Sequence, residues 1–178
     1  PLDITGFVSD ENGISEASYV FIARKGEDIQ IINETLLYAG GNGTEEAPYL
    51  IACERHFKNI SENPSSSYLQ SASFEITEAS EYTFEGEYDG NGEKITLNID
   101  GGKYSAPFGK TANAVIKNVS VEGTVNASDV YAGSICGYAA ASEITGCESS
   151  VILTLSGENL KNGAMGGGIA GFADGDTV

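Results

Sequence analysis

The residues that could do chemistry in this chain are few and widely spaced. Asp89-Gly90-Asn91 places two oxygen-bearing side chains at alternate positions, the opening of many calcium loops. It lacks a third chelating side chain at the next alternate position and the bidentate Glu of an EF-hand loop, so it reads as a turn and not a metal site. Asp174-Gly175-Asp176 is the nearest thing to paired carboxylates for acid–base work or calcium. The single His56 has no second His nearby and no H-E-x-x-H context, and is expected on the surface of a short helix. Cys53, Cys136 and Cys147 form no C-x-x-C pair, so neither a zinc site nor a disulfide framework is indicated. No Ser/His/Asp set suggests a protease. A carbohydrate-cleaving enzyme needs converging carboxylates, usually beside a basic residue, but Lys103, Lys110, Lys117 and Lys161 are scattered. The expectation is no catalytic residue, no metal and no cofactor, with the ligand-binding residues open.

Composition narrows the partners. Nine basic against 26 acidic residues give a net charge of −17, a field that repels phosphate backbones, so nucleic acid is not expected. With 40% apolar residues among 178, the chain can bury a core. No apolar run is long enough to span a membrane, and no secretion signal is visible. A chain that opens on Pro1 is expected to be a mature or trimmed form.

The elements that would position these residues are announced by repeats. Ala106-Pro107-Phe108-Gly109, Ser134-Ile135-Cys136-Gly137 and Gly168-Ile169-Ala170-Gly171 superpose without gaps. Between them, Val115-Ile116-Lys117-Asn118-Val119 matches Glu143-Ile144-Thr145-Gly146-Cys147. The segments between glycines are short and β-branched, as in Val151-Ile152-Leu153-Thr154-Leu155, and too glycine-rich for helices. Repeats of this length with short strands and tight corners predict the coils of an all-β parallel β-helix, a solenoid. Ile144 should then lie over Ile116, Ile169 over Ile135 and Cys147 over Val119. Cys136 should share the register of Phe108 and Ala170, which makes both cysteines interior residues. Corner glycines are expected at positive φ. The polar stretch 156–163 is expected to bulge out as a loop. A further copy should begin at Thr177-Val178, so the chain is expected to stop inside a repeat and the parent protein to continue.

Upstream, Cys53 to Ile60 carries apolar residues at 53, 57 and 60, the spacing of a short amphipathic helix. Such a helix would cover the first coil, giving an N-terminal cap at about 40–70 within a β-helix over 39–178. Asp89-Gly90 and Asn91-Gly92 signal tight turns between strands. In residues 1–38, Tyr19-Val20-Phe21-Ile22 and Ile29-Gln30-Ile31-Ile32 flank Lys25-Gly26-Glu27-Asp28, which reads as a hairpin or the remnant of a preceding domain. Thr124, Thr145, Thr154 and Thr177 share no register, which argues against an ice-binding face.

These landmarks resemble the GLUG-motif repeat proteins of bacterial surfaces. The matching residues are Gly43-Thr44-Glu45-Glu46-Ala47-Pro48-Tyr49-Leu50-Ile51, then Phe84-x-Gly86-x-Tyr88-Asp89-Gly90-Asn91-Gly92, then the Gly-x-Ile-x-Gly units at 133–137 and 167–171. The chain carries Ile where Leu is usual in that unit. The resemblance covers about residues 40–178. It implies a right-handed β-helix in a secreted or surface-anchored, adhesin-like protein, with a glycan or host surface protein as partner and no catalytic residues. The competing expectation is a fragment of a polysaccharide-processing enzyme, lyase- or hydrolase-like, because such enzymes use similar folds.

Overall fold

The computed structural model describes residues 20–23, 29–32, 37–127, 131–156 and 164–178. The chain divides into two compact units, Pro1–Leu37 and Tyr38–Val178. In the first, β1 (Val20–Ala23) and β2 (Ile29–Ile32) pair antiparallel, Val20 opposite Ile32 and Ala23 opposite Ile29, as the two apolar runs predict. The intervening Lys25–Asp28 lies outside the described residues.

The second unit is built from parallel sheets. The first sheet contains β3 (Tyr49–Ile51), β4 (Ser67–Gln70), β7 (Glu87–Asp89), β11 (Val115–Lys117) and β15 (Glu143–Thr145), adjacent in that order. The second contains β5 (Phe74–Ile76), β8 (Lys94–Asp100), β12 (Ser120–Ala127) and β16 (Glu148–Leu155). A third holds β9 (Tyr104–Ser105), β13 (Tyr131–Gly133) and β17 (Met165–Gly167). The fourth holds β6 (Thr83–Phe84), β10 (Phe108–Ala112), β14 (Cys136–Ala140) and β18 (Ala170–Asp174). From β7 onward the chain visits the sheets in the same order on each of its successive circuits. The circuit before it, β4 to β6, has no strand in the third sheet.

The register is the one the repeats require. Ile116 pairs with Ile144, and Cys136 pairs with Phe108 on one side and Ala170 on the other. The Ile135 N–H donates to the Ile169 carbonyl at 3.0 Å. Cys147 directly precedes β16, whose first residue Glu148 pairs with Ser120, so it follows Val119 in register. Val178 bonds to Ser142 and Ile144 through its own N–H and carbonyl, at 3.0 and 2.7 Å. Residues 157–163, most of the expected loop, lie outside the described residues.

Strand alternation puts every second residue inside. In β8, Ile95, Leu97 and Ile99 are buried between exposed neighbours, and Val121 and Val125 of β12 pair with Ile95 and Ile99. The core changes character along the stack. Tyr68, Tyr88, Phe84 and Phe108 fill its early circuits, whereas Ala139 and Cys136 occupy later positions. Cys147, Val151, Leu153 and Ile169 pack on this core but remain half-buried, because β15 to β18 have neighbours on one side only. Burial pushes the Cys136 thiol up to about 11 and raises that of Cys147.

The helix is short: α1 spans Glu54–Lys58 and continues as a 3₁₀ turn over Asn59–Glu62. Its buried Phe57 sets a ring 5.0 Å from that of Phe108 and 5.8 Å from that of Tyr88, so the helix covers the aromatic end of the core.

One expectation needs correction. His56 is buried, not a surface residue. Its Nδ1 accepts the Ala52 N–H at 3.2 Å, which ties the first helical turn back to the end of β3. Desolvation, then the neighbouring Arg55 charge, holds its pKa below the usual value. The Asn91-Gly92 turn exists, but its flanking strands do not pair with each other; β7 and β8 belong to different parallel sheets, so the turn is a corner. Corner glycines such as Gly92, Gly146 and Gly175 take positive φ as expected, whereas those of the Gly-x-Ile-x-Gly units serve close approach. A Cβ on Gly133 would lie 2.1 Å from the Cys136 carbonyl oxygen, and one on Gly167 1.9 Å from that of Ala170. The left-handed corners are elsewhere: Asn113 and Ala141 (φ 52° and 46°) follow paired residues in β10 and β14, and Asn118 and Gly146 (φ 55° and 61°) follow paired residues in β11 and β15.

Candidate functional site

The acidic turns singled out by spacing are committed to structure. Asp89 Oδ1 accepts the Asn91 N–H at 2.9 Å and the Asn118 amide at 3.1 Å, while Oδ2 lies 3.8 Å from Lys117 Nζ. Lys117 also pairs with Glu87, so that ammonium is held by two carboxylates of the preceding circuit. Asp174 accepts the Tyr138 hydroxyl at 2.9 Å and the Gly175 N–H at 2.8 Å. Its companion Asp176 lines a different, shallow depression with Asn113 and Glu143. Among the described residues, no group of three or more His, Cys, Asp or Glu side chains is arranged to hold a metal ion. Lys161 lies outside the described residues.

A feature that spacing did not single out is an aromatic row running along the stack. Tyr104 and Tyr131 pair in β9 and β13, and their rings stack at 5.9 Å with planes 4° apart. Tyr138 and Phe172 pair in β14 and β18, with rings 5.3 Å apart and 24° between planes. The two columns meet edge-on, Tyr131 against Tyr138 at 5.5 Å and 71°. All four are half-exposed. Lys103 places its ammonium 5.2 Å from the Tyr104 ring centre, and Lys110 lies 5.9 Å from that of Tyr138. Such contacts stabilise by roughly 0.5–1 kcal/mol at exposed sites.

Local sequence explains why the row can form. A Cβ on Gly137 would sit 2.9 Å from the Tyr104 Cβ, and one on Gly109 3.2 Å away. Gly109 and Gly137, each before an outward residue of the fourth sheet, therefore make room for Tyr104 of the third. The signal was present in the aligned Gly137-Tyr138-Ala139 and Gly171-Phe172-Ala173, where an aromatic recurs at an outward-facing position. Read as repeat texture, it did not suggest a surface.

At its early end the row opens on a cleft of about 720 Å³, lined by residues 77–81 and 100–104. The cause is topological. The link from β5 to β6 crosses here without adding a strand to the third sheet, so β9 is that sheet's edge. A second cleft of about 440 Å³ lies on the other side of the same link, against Phe57, Ile76 and Tyr82. Glu78, which lines both, is paired with Lys58 at 3.1 Å, and Glu54 accepts the Thr77 N–H and hydroxyl, each at 2.7 Å. These bonds pin one end of the link to α1.

The surface therefore offers half-exposed aromatic rings bordered by ammonium groups and carboxylates, beside a cleft within the roughly 300–1,000 Å³ range of small-ligand sites. That chemistry suits non-covalent recognition of a ligand. No protein-family model matches the chain, and neither the curated proteins nor the solved structures contain a match to it.

Proposed function

We propose that the parallel sheets are the faces of a right-handed β-helix, closed at its early end by α1, and that the chain is a non-catalytic, adhesive module of a bacterial cell surface, akin to the GLUG-motif repeat proteins. The ordered circuit through the sheets supports the solenoid, and parallel crossovers are right-handed in about 98% of cases. The observation that carries the binding role is the half-exposed aromatic row beside the cleft, together with acidic turns whose oxygens are already bonded. Tyrosine-rich patches give contact area at low entropic cost and are common where proteins meet ligands. A strongly acidic surface resists non-specific sticking, so adhesion would rest on such a local patch.

The test is retention of the purified chain on arrays of glycans and on host epithelial surfaces, run beside an assay for unsaturated or reducing-end products from acidic and neutral polysaccharides. Saturable binding without product is expected. Turnover of any polysaccharide would replace this reading with the enzymatic one.

A further inference from the structure

We propose that the cleft between residues 77–81 and 100–104 is a subsite for a neutral hexose unit, stacked on Tyr104. This rests on the binding role above and adds to it a place and a ligand class.

Among the described residues, Tyr104 is the one aromatic side chain lining the cleft, and its ring is already held by stacking on Tyr131. A platform held in place before binding loses little freedom on binding. A pyranose presents what such a wall accepts: an apolar face of C–H groups, edged by hydroxyl donors. Carboxylates accept those hydroxyls in charge-assisted hydrogen bonds, stronger than neutral ones. Glu81 and Asp100 line the cleft, and among the described residues neither is engaged in an ion pair. The Lys103 ammonium adds a donor for ring or hydroxyl oxygens.

Charge narrows the class further. Glu78, Glu81 and Asp100 outnumber Lys103 in the lining, within a molecule of net charge −17. Uronic acids, sulfated sugars and phosphates are therefore disfavoured. A cationic ligand would meet the Lys103 ammonium, 5.2 Å from the Tyr104 ring centre, and be repelled; a neutral sugar has only to displace that exposed side chain, at the small cost of an exposed cation–π contact, to reach the ring. A neutral molecule with an apolar face and many hydroxyls uses every group present.

The test is titration of the ¹⁵N-labelled chain with cellohexaose, mannohexaose and maltohexaose, with polygalacturonate and hexalysine as charged probes. Binding of at least one neutral hexaose is expected, with amide shifts concentrated at Gly101, Gly102 and Lys103. Tyr104→Ala should weaken it about ten-fold or more, a loss of ~1.4 kcal/mol. Tyr104→Phe should stay within about two-fold, because the ring face is kept. The double variant Glu81→Gln, Asp100→Asn should weaken the sugar several-fold without abolishing it, since neutral amides accept the same hydrogen bonds less strongly than carboxylates. Neutral-sugar binding that shifts residues elsewhere and survives Tyr104→Ala would overturn the subsite and leave the adhesive reading standing. Hexalysine binding that the double variant abolishes, with no hexaose bound, would overturn the ligand class. Silence towards all five probes overturns the subsite; adhesion falls with it only if the arrays and epithelial surfaces are also blank.

Discussion

At the scale of single residues, two positions carry their consequences in backbone and charge. Ala141 is held at φ 46°, where an L-residue other than Gly or Asn is strained by about 1–2 kcal/mol. Asn113 and Gly175, in the same register, are residues that tolerate this region. Ala141→Gly should therefore raise stability by about 0.5–1 kcal/mol, the relieved strain less glycine's extra unfolded-state entropy, measured by urea unfolding. His56 is held neutral by burial, its pKa depressed below the unfolded value near 6.5. The stability it contributes is complete above that value and is lost as pH falls through the folded pKa, because the unfolded chain takes up the proton first. His56→Gln should flatten that part of the acid-side decline. The comparison is ΔG against pH from 7.5 to 4.5 for both proteins; parallel curves would show that His56 titrates alike in the folded and unfolded states.

At the scale of elements, pairing on both sides separates core from margin. Ile116 lies between Tyr88 and Ile144 and is fully buried, so Ile116→Ala should cost about 2–5 kcal/mol. Ile152, on β16, is 68% exposed, and Ile152→Ala should stay within about 0.5 kcal/mol. Thermal unfolding of the two variants checks the contrast; equal losses would mean that β16 is covered in solution. Gly137→Ala belongs to the same scale, because the added methyl meets the Gly109 carbonyl oxygen at 2.7 Å and the Tyr104 Cβ at 2.9 Å. It should destabilise by about 1–3 kcal/mol and disturb the Tyr104–Tyr131 stack, seen as a change in near-ultraviolet circular dichroism.

For the whole molecule, the excess of carboxylates sets the electrostatics. A net charge of −17 on 178 residues is self-repulsive, and the ion pairs among the described residues lie at the surface, where each adds little. Added salt should therefore stabilise: the melting temperature should rise between 10 and 300 mM NaCl, as the screening length falls from about 30 Å towards 6 Å. A fall on adding salt would mean that the ion pairs outweigh the repulsion. Divalent cations should act as general screening ions, since the turn carboxylates of Asp89 and Asp174 are already bonded.

What the sequence determined by itself was the register. A parallel stack pairs residues at a fixed spacing, so copies such as Phe108-Gly109 and Cys136-Gly137 state their partners directly, and the alternation in Lys94–Asp100 states which side faces inward. The β1–β2 pairing and the helix near Phe57 were legible for the same reason, each being a local pattern. The tertiary structure alone decided the rest. His56 is buried because its helix is tied to β3, and no residue next to it in sequence announces that contact. The Asn91-Gly92 turn is a corner and not a hairpin because its two strands found partners on neighbouring circuits. The candidate site was invisible for a related reason. Its rings come from separate circuits, and its cleft exists because the link from β5 to β6 adds no strand to the third sheet, an absence that becomes a surface only when the circuits are stacked.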